Sequence, residues 1–165
     1  MKIIRRTIVG ASTLGVIASL LTGASAQGAE VPKRSVLTLE ALQRVVQSAK
    51  EEAADHSWAC VIAVVDDEGL LIAEIRKDNA AFPAGVELAP GKARTAALFR
   101  RPTSALEEAI NGPRPAAITA HDFVMMMTGG VPIVVDGQIV GAIGVSSDTP
   151  DHDVRVANRN RPSGA

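Results

Sequence analysis

The chain has 165 residues, 47% of them hydrophobic, 21% charged and only 2% aromatic, with a formal net charge of -1. Four large rings (Trp58, Phe82, Phe99 and Phe123) are too few to stack nucleobases, and a pI near 6.3 leaves no basic footprint, so nucleic-acid binding is excluded. So apolar a composition also excludes disorder, and the length suits one domain.

The first 26 residues read as a secretory signal peptide. Lys2, Arg5 and Arg6 form a basic start, residues 7–21 are almost all apolar or small, and Ala24-Ser25-Ala26 is a small-x-small cleavage pattern. The apolar run is short for a bilayer span of about 20 residues, so removal is expected rather than anchoring. Arg5-Arg6 leaves the choice between the general and twin-arginine routes open. The product is a periplasmic or secreted domain. Removing three of 17 basic residues, against 18 acidic ones, takes its net charge to -4.

Residues 27–36 mix Gly, Pro and charge and form a flexible lead-in. Thr38 then caps an amphipathic helix in which Leu39, Leu42, Val45, Val46, Ala49 and Ala53 recur at helical spacing, ending near Asp55. Residues 60–66 and 70–76 are two Val- and Ile-rich runs around Asp67-Glu68-Gly69, a hairpin whose near-continuous apolarity predicts burial on both faces. Proline is best tolerated in the first turn, so the second helix is predicted from Pro90 to Arg100, with Pro102 ending it. Ser104 and Glu107 have capping-box spacing for a short helix closed by Asn111-Gly112, and residues 113–120 are loop or weak helix. Asp136-Gly137 between two apolar runs predicts a tight hairpin, and Gly141 and Gly144 predict close approach of another backbone or a ligand. Residues 151–158 are a short terminal helix, and the chain frays from 158 to 165.

Chemistry-bearing residues are sparse. No nucleophile elbow, P-loop, zinc-protease or dithiol motif is present, so no catalytic motif is visible. Cys60 is the sole cysteine and sits among Ala59, Val61 and Ile62, which reads as a buried small hydrophobe. Asp66, Asp67 and Glu68 read as turn chemistry, His56 as a helix C-terminal partner, and His152 as a solvated residue between Asp151 and Asp153. His121 precedes Phe123, Met125, Met126 and Met127; it is either a surface residue before a buried strand or an imidazole able to ligate haem iron. Lys92, Arg94, Arg100 and Arg101 are cations on and after the second helix. They either complement its dipole or clamp carboxylates such as haem propionates.

Gly91-Lys92-Ala93-Arg94-Thr95-Ala96 followed by Phe99-Arg100-Arg101-Pro102-Thr103 resembles the first signature of the GlcG/HbpS-like family. Gly129-Gly130-Val131-Pro132-Ile133, Asp136-Gly137 and residues 140–146 are similar to its second, and Leu37-Thr38-Leu39 and residues 62–66 fit in order. The resemblance covers residues 37–157. It implies an α+β chain folded as a profilin-like three-layer α/β/α sandwich around a five-stranded antiparallel sheet, assembled into homo-oligomers. It further implies an exported small-ligand-binding protein, with haem as the cofactor and a membrane sensor protein as a partner. Family haem ligands differ between members, so the candidate haem-binding residues come from the residue chemistry above: His121, Met125, Lys92, Arg94, Thr95, Arg100, Arg101 and Thr103, with His121 the candidate iron ligand. Thr95 and Thr103 lie within the matching motifs; His121 does not. Two other readings stay open: a small enzyme acting on haem or a metabolite, and a ligand-free oligomeric module. The chain departs from the family pattern at Pro90, at Ser147 and in its polar C-terminal end.

Overall fold

A computed structural model describes residues 33–120 and 125–159. In chain order it contains α1 (Leu39–Asp55), β1 (Val61–Asp66), β2 (Leu71–Arg76), α2 (Gly85–Phe99), α3 (Thr103–Asn111), a 3-10 turn (Pro115–Thr119), β3 (Gly130–Val135), β4 (Gln138–Ser146) and α4 (Pro150–Asn158). The described residues form one sheet of four antiparallel strands in the order β2-β1-β4-β3, where the family resemblance implies five. Two local hairpins are joined through their inner strands, Val61 facing Ser146 and Asp66 facing Gly141.

Side chains alternate across a sheet, so each strand feeds two layers. Ile62, Val64, Val131, Ile143 and Val145 point to one face, where α1 brings Leu42, Val45, Ala49 and Ala53 and α4 brings Val156 and Ala157. Val61, Ala63, Val65 and Ala142 point to the other, where α2 brings Ala89, Ala93, Ala96 and Ala97. The result is helix, sheet, helix. Gly144 belongs to the second face: a Cβ there would fall on the Ala89 carbonyl oxygen and 2.6 Å from the Ala93 nitrogen. The predicted close approach at Gly144 is thus to helix backbone, and at Gly141 to the Val65 carbonyl.

Several local expectations hold for physical reasons visible in the structure. The Thr38 side chain accepts a hydrogen bond from the Ala41 amide and begins α1. Asp66 Oδ1 accepts from the Glu68 and Leu70 amides at 2.9 and 2.8 Å, closing the first turn. Asp136 and Gly137 take φ values of 49° and 75°, as a tight hairpin turn requires.

Four expectations are corrected. Burial on both faces is true of β1 but not of β2, an edge strand with Leu71 and Ile72 half-exposed. Helix α2 starts at Gly85, five residues before Pro90; the proline sits inside it, where the helix forgoes one bond while gaining burial of the preceding turn. Ser104 and Glu107 form no capping box: α3 begins at Thr103, and Glu107 instead accepts from the Thr128 amide at 2.8 Å. His152 is not solvated but stacked on Trp58, with ring centroids 3.8 Å apart.

Candidate functional site

Two of the sequence-predicted residues, Arg94 and Met125, meet in a groove of about 380 Å³ beside the β1–β2 turn. Leu70, Leu71, Pro90 and Met125 form its apolar wall, and Arg94 and Glu87 supply its charged groups. Glycines on both sides let it form. The Arg94 stem lies over Gly69, where a Cβ would come within 2.9 Å of Arg94 Cγ; Met125 rests on Gly91, where a Cβ would be 3.1 Å from Met125 Cβ. Thr95 is fully buried and holds Met125 in place: its Oγ1 accepts from the Met125 amide at 2.7 Å and donates to the Gly91 carbonyl at 2.8 Å. A groove with an apolar wall and one forked cation suits a flat, largely apolar ligand carrying a carboxylate. The Glu87 charge is also felt on β2. Partial burial first, and Glu87 second, raise the Glu74 carboxyl above its ordinary range.

The other predicted residues lie elsewhere. Lys92 is buried, its Nζ donating to Asp153 Oδ2 at 2.6 Å and to the Val145 carbonyl at 3.1 Å. Asp153 Oδ1 in turn accepts from the Ser147 amide and hydroxyl, both at 2.6 Å. Thr103 is buried at the start of α3, accepting from the Gly130 amide at 2.8 Å. Arg100 and Arg101 are exposed just past the end of α2, where Arg100 adopts the left-handed conformation that closes the helix. His121 lies outside the described residues.

Sequence reasoning missed the role of Asp153. A signal existed: Lys92 shares a helix face with Ala89 and Ala96, which is the buried face, and a buried ammonium requires a partner. It also missed the seam between α1 and α4. Trp58 is sandwiched between His56, 4.5 Å away, and His152, with the Arg155 guanidinium 5.4 Å from its ring. Buried Glu52 pairs with Arg155 at 3.3 Å and with Arg159 at 2.6 Å. His56 Nδ1 lies 3.0 Å from the Glu52 carbonyl, the helix-end partnership expected of it. The hydrogen bond from His152 holds exposed Asp148 below the usual carboxylate range. Among the described residues no group of three His, Cys, Asp or Glu is placed to hold a metal.

Cys60 is fully buried, and burial pushes its thiol up to about 11, despite the opposing charge of Lys77. The native protein should therefore resist a thiol-specific reagent at pH 8 and label at once in denaturant. A thiol with a raised folded pKa contributes stability that is complete below its unfolded value near 9 and lost as pH climbs to 11. Denaturant titrations at pH 8 and pH 11 measure that loss; equal midpoints for a Cys60→Ala variant and the parent at both pH values would contradict it.

Comparison with known proteins agrees with this architecture. The model of a family described as haem degrading protein, HbpS-like, matches residues 37–160. Protein GlcG of Escherichia coli K12 is 44% identical over 111 residues, covering 67% of this chain and 81% of that protein. A crystal structure of a Streptomyces reticuli HbpS double mutant superposes with a TM-score of 0.72 at 27% identity, covering 92% of this chain and 95% of that one. The PduOC:heme complex shares the fold, with a TM-score of 0.70 at 24% identity over 76% of this chain and 92% of that one. The signature segments in register, the layered antiparallel sheet and the match over most of its length place the chain in the HbpS-like family.

Proposed function

We propose that this chain is an exported haem-binding protein and that the groove at Leu70, Leu71, Pro90, Arg94 and Met125 receives the haem. The observation that carries this reading is the pairing, in one groove, of an apolar wall with Arg94. The wall suits the porphyrin face and the guanidinium suits a propionate. Glu87 on the same groove leaves the Arg94 side as the place for that carboxylate. His121, four residues before Met125 in sequence, is the proposed iron ligand. Haem, when bound, would supply the iron chemistry, and Thr95 holds the Met125 backbone at the groove that would receive it. Arg94 lines the groove, whereas Lys92 lies apart from it, paired with Asp153. Export rests on the signal-like residues 1–26, and assembly with further copies on the apolar edge strand β2.

Titrating the purified protein with hemin should give a saturating Soret shift near one haem per chain. Arg94→Ala should weaken binding about tenfold, the worth of one charge-assisted contact. His121→Ala should move or diminish the Soret band. A flat titration at micromolar protein overturns the reading, and an unchanged spectrum for His121→Ala removes His121 alone. The family's own description favours a second reading, haem degradation. Loss of the Soret band with iron release under peroxide distinguishes it from simple binding.

A further inference from the structure

Strand β2 ends the four-stranded sheet on one side, and its outer edge carries a specific pattern of backbone and charge. The Lys77 amide donates to the Cys60 carbonyl at 3.0 Å, so by the alternation of an antiparallel ladder Ile75 and Ala73 also turn their backbone groups toward β1. The N–H and C=O groups of Glu74 and Arg76 therefore point away from the sheet. Their side chains lie on the α2 face, because Glu74 is opposite Ala63 and Arg76 opposite Val61, which cluster with Ala89. Both are exposed, and neither has an ion-pair partner among the described residues. Glu87 of α2 adds a second negative charge near Glu74. On the α1 face, Ala73 and Ile75 line an apolar groove of about 460 Å³ with Leu42 and Val46.

A strand laid along this edge meets an acid and a base two residues apart, and fits best if it offers a base and an acid in return. β2 itself does so when it runs antiparallel to a second β2. Centring the pair on Glu74 or Arg76 sets like charges face to face, and centring it on Ala73 sets Glu74 against Ile72. Centring it on Ile75 places Glu74 opposite Arg76 twice over and brings the two Ile75 side chains together at the apolar grooves. Leu70 and Leu71 then lie beyond the paired stretch, so the Arg94 groove stays open. We propose, building on assembly along β2, that a second copy of this chain pairs antiparallel with that edge, Glu74 of each copy facing Arg76 of the other, so that the two sheets become one.

The test uses the full chain at micromolar concentration, where sedimentation should show pairs or larger assemblies. With Cys60 replaced by Ala, Ile75→Cys should form a disulfide-linked dimer under mild oxidation. Residues in a non-hydrogen-bonded antiparallel pair have Cα atoms about 4.5 Å apart, within disulfide range. Ala73→Cys in the same background should not cross-link, because its counterpart lies roughly 13 Å away along the strand. Glu74→Arg should raise the dissociation constant of the pair about tenfold, and adding Arg76→Glu should return it to within about threefold of the parent. Both side chains are exposed, so the fold should tolerate either reversal. Cross-linking at Ala73→Cys, none at Ile75→Cys, or a double reversal no tighter than the single one overturns the pairing, even where the chain assembles through another face. A monomeric parent overturns assembly along β2 as well. Hemin binding bears on neither outcome, so failure of the haem reading is seen separately.

Discussion

Replacing Asp153 by Asn should cost about 3–5 kcal/mol of folding stability, read as a fall in the denaturant midpoint. The substitution keeps the shape of the side chain and removes only its charge. Lys92 is then an ammonium with 3% of its side chain exposed and no counter-ion, held between α2 and the end of β4. The charge pair is expensive to assemble and more expensive to break. The double variant Lys92→Met/Asp153→Asn should therefore be more stable than Asp153→Asn alone, because no charge is stranded. A double-mutant cycle measures that coupling directly. Additive losses from the two substitutions would show that the pair contributes nothing beyond its separate side chains.

Gly144→Ala should destabilise by about 3 kcal/mol, the upper end for an overpacked core, and lower the melting temperature by roughly 10 °C. The added methyl would sit on the Ala89 carbonyl and within 3.0 Å of Ala93 Cβ. Neither atom is the end of a flexible side chain, so α2 as a whole would have to lift from the sheet. Gly137→Ala is the matched control. Its φ is 75° and nothing lies within 4 Å of the added carbon, so it should cost only about 1 kcal/mol of backbone strain. Thermal melts of the two variants separate crowding from conformational preference; similar losses at the two positions would refute close packing of α2 as the cause.

The layers were legible in the sequence because each is written in a short-range pattern. The apolar spacing from Leu42 to Ala53 made α1 visible, and Asp136-Gly137 made the β3–β4 turn visible. What stayed hidden depended on distant partners. The edge position of β2 comes from the strand order; the charges at Glu74 and Arg76, which β1 lacks before Asp66, were its only local sign. The start of α2 was misplaced because burial of Gly85 and Ala89 against the sheet outweighs the bond that Pro90 forgoes. The site was legible by halves. The motif around Lys92 to Thr95 lies on α2, and the structure separates its members: Arg94 at the groove, Thr95 buried and bonded to the Met125 amide, and Lys92 paired with Asp153. The link from Lys92 to Asp153 spans 61 residues and has no local signature.

Helix α2 lies directly on the sheet, with alanines on its inner face and Gly130 and Gly144 beneath it. No cargo fits between α2 and the sheet, and the Arg94 groove lies instead at the edge of those layers, beside the β1–β2 turn. Folding and recognition therefore draw on separate sets of side chains. Substitutions at Leu70 or Arg94 can reshape the groove while the alanine–glycine interior keeps its stability. That separation makes the scaffold evolvable: one close-packed interior can be inherited intact while its margins acquire different ligands.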